Sequence, residues 1–112
     1  MRTGKERIEI SEGGFSIFNG RKHLGDVAWN NIKKVVALKR DLFTVDAVCL
    51  RILTYEPDQF WELDDDVAGF WDLSARLKSE LPGYEQNWEE HVVKPAFKEN
   101  LRFVFERPLK PE

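Results

Sequence analysis

The sequence is poor in the residues from which reactive sites are usually built. It has one cysteine, Cys49, and two histidines, His23 and His91, well separated along the chain. A lone thiol excludes an internal disulfide and fits a reducing compartment. Cys49 lies inside an apolar run and reads as a small core residue. The H-E-x-x-H spacing that sets two histidines on one helix face is absent. Asp64-Asp65-Asp66 matches no calcium loop, because glycine at the sixth position and a closing glutamate are both missing. Glu89-Glu90-His91 sets acids beside an imidazole, yet no nucleophile or orienting partner stands with them. No run reaches the roughly 18 apolar residues of a membrane-crossing helix. The opening M-R-T-G-K-E-R has no apolar segment of the signal-peptide kind. These absences lead us to expect a cytoplasmic, non-enzymatic protein with no catalytic residues, no cofactor and no metal.

What is present describes an ordinary folded domain. The chain has 112 residues, 42% hydrophobic and 33% charged, enough to bury a core as a single domain spanning 1–112 without metal or disulfide support. Charge is unevenly spread. Residues 1–55 carry 10 basic and 6 acidic side chains, 56–90 carry 2 and 11, and 91–112 carry 5 and 3. The segments therefore stand at +4, −9 and +2. An acidic middle argues against a nucleic-acid footprint there, and no nucleic-acid partner is expected.

The organising stretch is residues 45–63, V-D-A-V-C-L-R-I-L-T-Y-E-P-D-Q-F-W-E-L. Residues 45–55 are rich in β-branched, aliphatic and aromatic types, which suit a pleated surface. Alternation sends Val48, Leu50 and Ile52 one way and Ala47, Cys49, Arg51 and Leu53 the other. At about 3.3 Å per residue such a strand spans about 35 Å, long enough in a small domain to favour a bent sheet. Glu56-Pro57-Asp58-Gln59 supplies a turn, and Phe60-Trp61-Glu62-Leu63 returns beside it. Arg51 is a lone charge on this strand; it pairs with an acid such as Asp46 or Glu62 across the sheet, or it marks a solvated face.

Upstream, Ile8 and Ile10 alternate with charges in a first strand, and Ser11-Glu12-Gly13-Gly14 turns. Residues 15–18 form a second strand, and Asn19-Gly20 marks a tight hairpin. Residues 21–28 form a third, with a bulge suggested at Gly25. Trp29-Asn30-Asn31-Ile32 reads as a bend with Trp29 and Ile32 tucked under the sheet, and 32–40 as a fourth strand. Residues 6–64 are thus expected to be a six-stranded antiparallel meander. Residues 65–100 should hold two helices. Asp64–66 caps the first, Val67, Phe70, Trp71, Ser74, Leu77 and Leu81 recur at helical spacing, and Pro82-Gly83 stops it. Asn87 with Glu90 opens the second as a capping box, and Pro95 shortens it. Residues 101–107 read as a final strand, in which Leu101, Phe103 and Phe105 share a face, and 108–112 as a tail.

The strand order, the W-x-x-I bend at Trp29–Ile32 and the helix running into Leu81-Pro82-Gly83 resemble the pleckstrin-homology-like superfamily, in particular small bacterial proteins with such a barrel. The resemblance covers roughly residues 6–83. It implies an α+β fold, a strongly bent antiparallel sheet or partly open barrel of six to seven strands, with helix at one end. It also implies a binding role of no fixed kind. The basic residues that phosphoinositide-binding members carry around the first hairpin loop are missing from Ser11-Glu12-Gly13-Gly14, so that property does not carry over.

Two surfaces draw attention. Lys39 and Arg40 precede Leu42 and Phe43, a basic rim around an apolar tip that suits an anionic membrane or a protein partner. Trp61 or Trp88, where left uncovered, would form a dimer contact, and so would an unpaired last strand. The expectation is a protein-interaction module, with homodimerisation open. A peripheral membrane domain using 39–43, and an immunity-type protein neutralising a basic partner with its acidic face, are the alternatives.

Overall fold

In a computed structural model, residues 6–41, 46–92 and 100–107 can be described. They form an α+β fold of two antiparallel sheets and two helices. The first sheet holds β1 (Glu6–Ile10), β2 (Gly14–Asn19) and β3 (Lys22–Ala28) in that order. The second holds β4 (Ile32–Asp41), β5 (Asp46–Thr54), β6 (Gln59–Asp64) and β7 (Asn100–Glu106) in the order β6-β5-β4-β7. The expected meander is therefore broken between β3 and β4, and the sheets are not closed into a barrel. A 3-10 turn at Trp29–Asn31 makes the break. The last strand pairs within its own chain, antiparallel to β4.

Trp29 ties the break to the first turn. Its backbone N–H donates to Gly13 O (3.1 Å) and its indole Nε1–H to Glu12 O (2.8 Å). Asn31 holds the other side. Its Nδ2 donates to Glu56 O (2.9 Å), and its Oδ1 accepts from the Glu56 N–H (3.2 Å). Hydrogen-bonding side chains at the switch point thus lock both neighbouring turns to it. The β2–β3 hairpin turns on Gly20 and Arg21, since Asn19 and Lys22 already pair. This is one residue later than the Asn-Gly dipeptide suggests. Ile17 faces Gly25 and Phe18 faces His23, so the extra residue of the expected bulge is Leu24.

One core joins both sheets and the helical segment. The inner row of the second sheet is Val35, Ala37, Val48, Leu50 and Ile52, as the alternation of β5 requires, and Ile8, Phe15, Ile17 and Val27 face it from the first sheet. Helix α1 (Phe70–Glu80) closes the interior with Phe70, Leu73 and Leu77, and α2 (Trp88–Val92) adds Trp88 and Val92. Helix α1 starts later than Asp64–66 lead one to expect. Those aspartates shape a turn, in which Asp64 Oδ1 accepts from the Asp66 N–H (3.0 Å). The chain then bonds β1 through Ile8 N–H to Ala68 O (2.9 Å), and the residue before the helix is Gly69. Val67 is held in the turn by its N–H to Asp64 O (3.0 Å), and the bridge of Ala68 to β1 keeps that residue out of the helix.

Gly13 and Gly14 look alike in sequence but not in space. A Cβ on Gly14 would stand 1.9 Å from Val27 O, whereas one on Gly13 meets nothing within 4 Å. Gly14→Ala must force the β2–β3 ladder apart. It should cost at least the 1–3 kcal/mol typical of overpacking, at about the upper end. Gly13→Ala should stay within about 0.5 kcal/mol of wild type. Urea denaturation of the two variants checks the contrast, and equal midpoints would refute the tight β2–β3 approach.

Candidate functional site

Both helices pack on the inner side of the second sheet, and its outer side is part buried and part exposed. Register defines what stands there. One row runs Glu62, Arg51, Val36, Phe103 across β6, β5, β4 and β7, and a second runs Asp64, Cys49, Leu38, Leu101. Phe60 and Leu53 pair alongside, with Lys34 next to Leu53. At about 4.8 Å per strand the face is about 14 Å wide. Leu38, Ala47 and Cys49 form a small buried cluster at one end. Beyond it Phe60, Leu101 and Phe103 are 56%, 54% and 61% exposed. Leu101 and Phe103 stand two residues apart on β7, and Phe60 stands on β6 at the opposite edge of the same face, with Val36, Arg51 and Leu53 between them. Large apolar side chains so exposed on one sheet face differ from the scattered singles of an ordinary surface.

Cations stand over these aromatics. Arg51 Nη2 bonds Glu62 Oε1 at 2.7 Å and its guanidinium lies 5.3 Å from the Phe60 ring centre. Lys34 Nζ lies 4.9 Å from the Phe103 ring centre and 3.4 Å from Glu106 Oε2. Each contact is worth about 0.5–1 kcal/mol at an exposed site.

Sequence reasoning missed this patch for an identifiable reason. Leu101, Phe103 and Phe105 alternate and so read as one inner face. The register slips between Val35 and Val36, so Phe105 faces Val35 while Phe103 faces Val36. Val104 and Phe105 are both buried as a result, and Leu101 and Phe103 are turned outward. A bulge of one residue moves every side chain beyond it to the other face.

The residues singled out from sequence fall elsewhere. Lys39 lies opposite Val48 on the inner row and is only 2% exposed, so it offers no rim to a surface. Arg40 pairs with Ala47 through the backbone; Leu42 and Phe43 lie outside the described residues. Trp61 sits opposite Ile52 and turns inward, its ring 2.6 Å from where a Cβ of Gly25 would be. Trp88 is fully buried and stacks at 6.3 Å on Trp71, which is the exposed tryptophan at 48%. Lys39, Trp61 and Trp88 are thus turned away from the outer face.

Polar clusters elsewhere are wired for structure. Asp26 Oδ1 takes Ser16 Oγ (2.5 Å) and His23 Nε2 (2.7 Å), and the Ser16 bond, followed by that of His23, lowers the Asp26 pKa. The carboxylate sits between hydroxyl and imidazole, so the imidazole does not activate the hydroxyl. Glu85 takes Arg102 at 2.5 and 2.7 Å, which lowers its pKa and raises that of Arg102. Burial, then the charge of Glu89, pushes the Tyr84 phenol up. Among the described residues no three His, Cys, Asp or Glu side chains are grouped to hold a metal, and no helix is long and apolar enough to cross a membrane. No protein family, curated protein or solved structure matches this chain.

Asp65 is the acid under electrostatic stress. Burial first, then the charge of Asp66, raises its pKa. An acid with a folded pKa above its unfolded value loses stability as pH rises between the two. Asp65→Asn should therefore raise thermal stability at neutral pH by about 0.5 kcal/mol, given surface screening. The gain should vanish below about pH 3.9, the unfolded value. Melting curves across that range check it; a gain independent of pH would refute the assignment.

Proposed function

We propose that this chain is a non-catalytic protein-interaction module of the pleckstrin-homology-like type, a bent and partly open sheet capped by α1, which docks a protein partner on the outer face of β6-β5-β4-β7. The partner is a second copy of the chain. The observation that carries this is the exposure of Leu101 and Phe103 on β7 and of Phe60 on β6, at the two edges of one sheet face. Aromatic anchors flanked by arginine are the composition of binding hot spots. The same face carries Lys34 and Arg51 beside Glu62 and Glu106. Both signs between the exposed apolar side chains let two copies exchange ion pairs across a two-fold axis.

The face supports docking better than the strand edge does. The Glu85 N–H donates to Val104 O (2.9 Å) and the Glu85 carboxylate holds Arg102. Both contacts cover the free side of β7, which blunts strand addition. The acidic-face alternative loses support for a similar reason. Asp58, Glu62, Glu80, Glu85 and Glu89 each hold a lysine or arginine, so much of the acidic middle is locally neutralised. The membrane alternative loses Lys39, which is buried.

Sedimentation velocity tests the proposal. Wild type should self-associate as concentration rises, and Phe103→Lys should weaken that association by at least about tenfold, as loss of a hot-spot aromatic does. Its circular dichroism should not change. A wild-type chain that stays monomeric at every concentration would rule out the second copy as partner.

A further inference from the structure

A second feature lies at the start of β4; it shares Lys34, Leu53 and Glu106 with the outer face, but what it implies does not rest on the interaction reading. Lys33, Lys34, Leu53, Tyr55, Glu106 and Arg107 line a cavity of about 240 Å³. Lys33 and Lys34 are consecutive, and a regular strand sends consecutive side chains to opposite faces. Here the register between β4 and β5 slips between Ile32 and Lys34. That irregularity brings both lysines to one hollow, the kind of re-aiming for which bulges are used at sites.

Arg107 is built in from the other side. Its backbone N–H donates to Lys33 O (2.8 Å), its Nε to Ile32 O (3.0 Å) and its Nη2 to Trp29 O (3.2 Å). All three acceptors are neutral carbonyls. They fix the guanidinium without cancelling its charge and leave the Nη1 donors over. The two lysines do have carboxylate partners, Asp58 at 2.9 Å and Glu106 at 3.4 Å. Those acids are 80% and 62% exposed, and exposed pairs of this kind are weak and exchangeable.

We infer that this hollow binds a phosphate-type oxyanion. Three cations and one carboxylate line it, an excess of one positive charge while the exposed Asp58 holds Lys33, and of two once Asp58 gives up Lys33 to a bound anion. That excess matches a dianion, and a phosphate presents several acceptor oxygens to guanidinium and ammonium donors at once. The volume lies below the roughly 300–1,000 Å³ of sites for drug-sized ligands. It therefore suits a phosphate group with a short organic remainder resting on Leu53 and Tyr55.

The test is an NMR titration of the ¹⁵N-labelled chain at low ionic strength with inorganic phosphate, phenyl phosphate and, as control, chloride at matched ionic strength. Saturable shifts at Lys33, Lys34 and Arg107 are expected with phosphate and not with chloride. The Lys33→Gln/Lys34→Gln variant should bind at least about tenfold more weakly, as loss of two charge-assisted contacts implies, while Lys22→Gln should bind like wild type. Tighter binding of phenyl phosphate assigns the ligand as a monoester, and equal binding assigns it as the free ion. Absence of saturation in wild type overturns the inference whether or not the double variant folds. Shifts that chloride reproduces, or that survive the double substitution, overturn it as well.

Discussion

The pairing of β4 with β5 is the constraint on which the rest depends. It runs from Ile32↔Thr54 to Asp41↔Asp46 and supplies the central pair of the larger sheet. Val35, Val48, Leu50 and Ile52 are buried on its inner side, and each such side chain contributes about 1.5–3 kcal/mol when removed from water. Net stabilities of whole domains are only about 5–15 kcal/mol. This one row is therefore comparable with the margin by which the chain folds. The first sheet, α1 and α2 find a place to pack because the row exists.

That ladder is interrupted on both sides of β4, and both interruptions have consequences at the surface. The slip at Lys33 gathers cations around a hollow, and the slip opposite Val104 turns two large apolar side chains outward. Neither is a loss of order. Arg107 bonds the backbone of Ile32 and Lys33 next to the first slip, and Glu85 bonds Val104 at the second. The irregular stretches are among the most cross-bonded parts of the chain. This is the pattern of a sheet whose edges are managed by neighbouring loops.

Much of the architecture was legible in the residues themselves. The inward set of β5, the pairing of Arg51 with Glu62, the turn at Ser11–Gly14 and the buried pair Trp29 and Ile32 all follow from alternation, turn chemistry and burial of aromatics. Other features resisted. Asp64–66 have the chemistry of helix caps, but the next residues were claimed by β1. Lys39 has a charge that belongs in water, but its parity on β4 places it inside. In each case a local preference was overridden by a partner distant in sequence.

From residues alone the strands and the existence of the helical segment could be read, though not where α1 begins, because side-chain period is a local property of the backbone, two residues in a strand and 3.6 in a helix. Those residues also determined that the chain has an apolar interior to close. Only the tertiary structure decided which face of each strand is covered, how the strands divide between two sheets and which charges meet. Those outcomes depend on register between distant segments, and a slip of one residue reverses a face without altering any local signal.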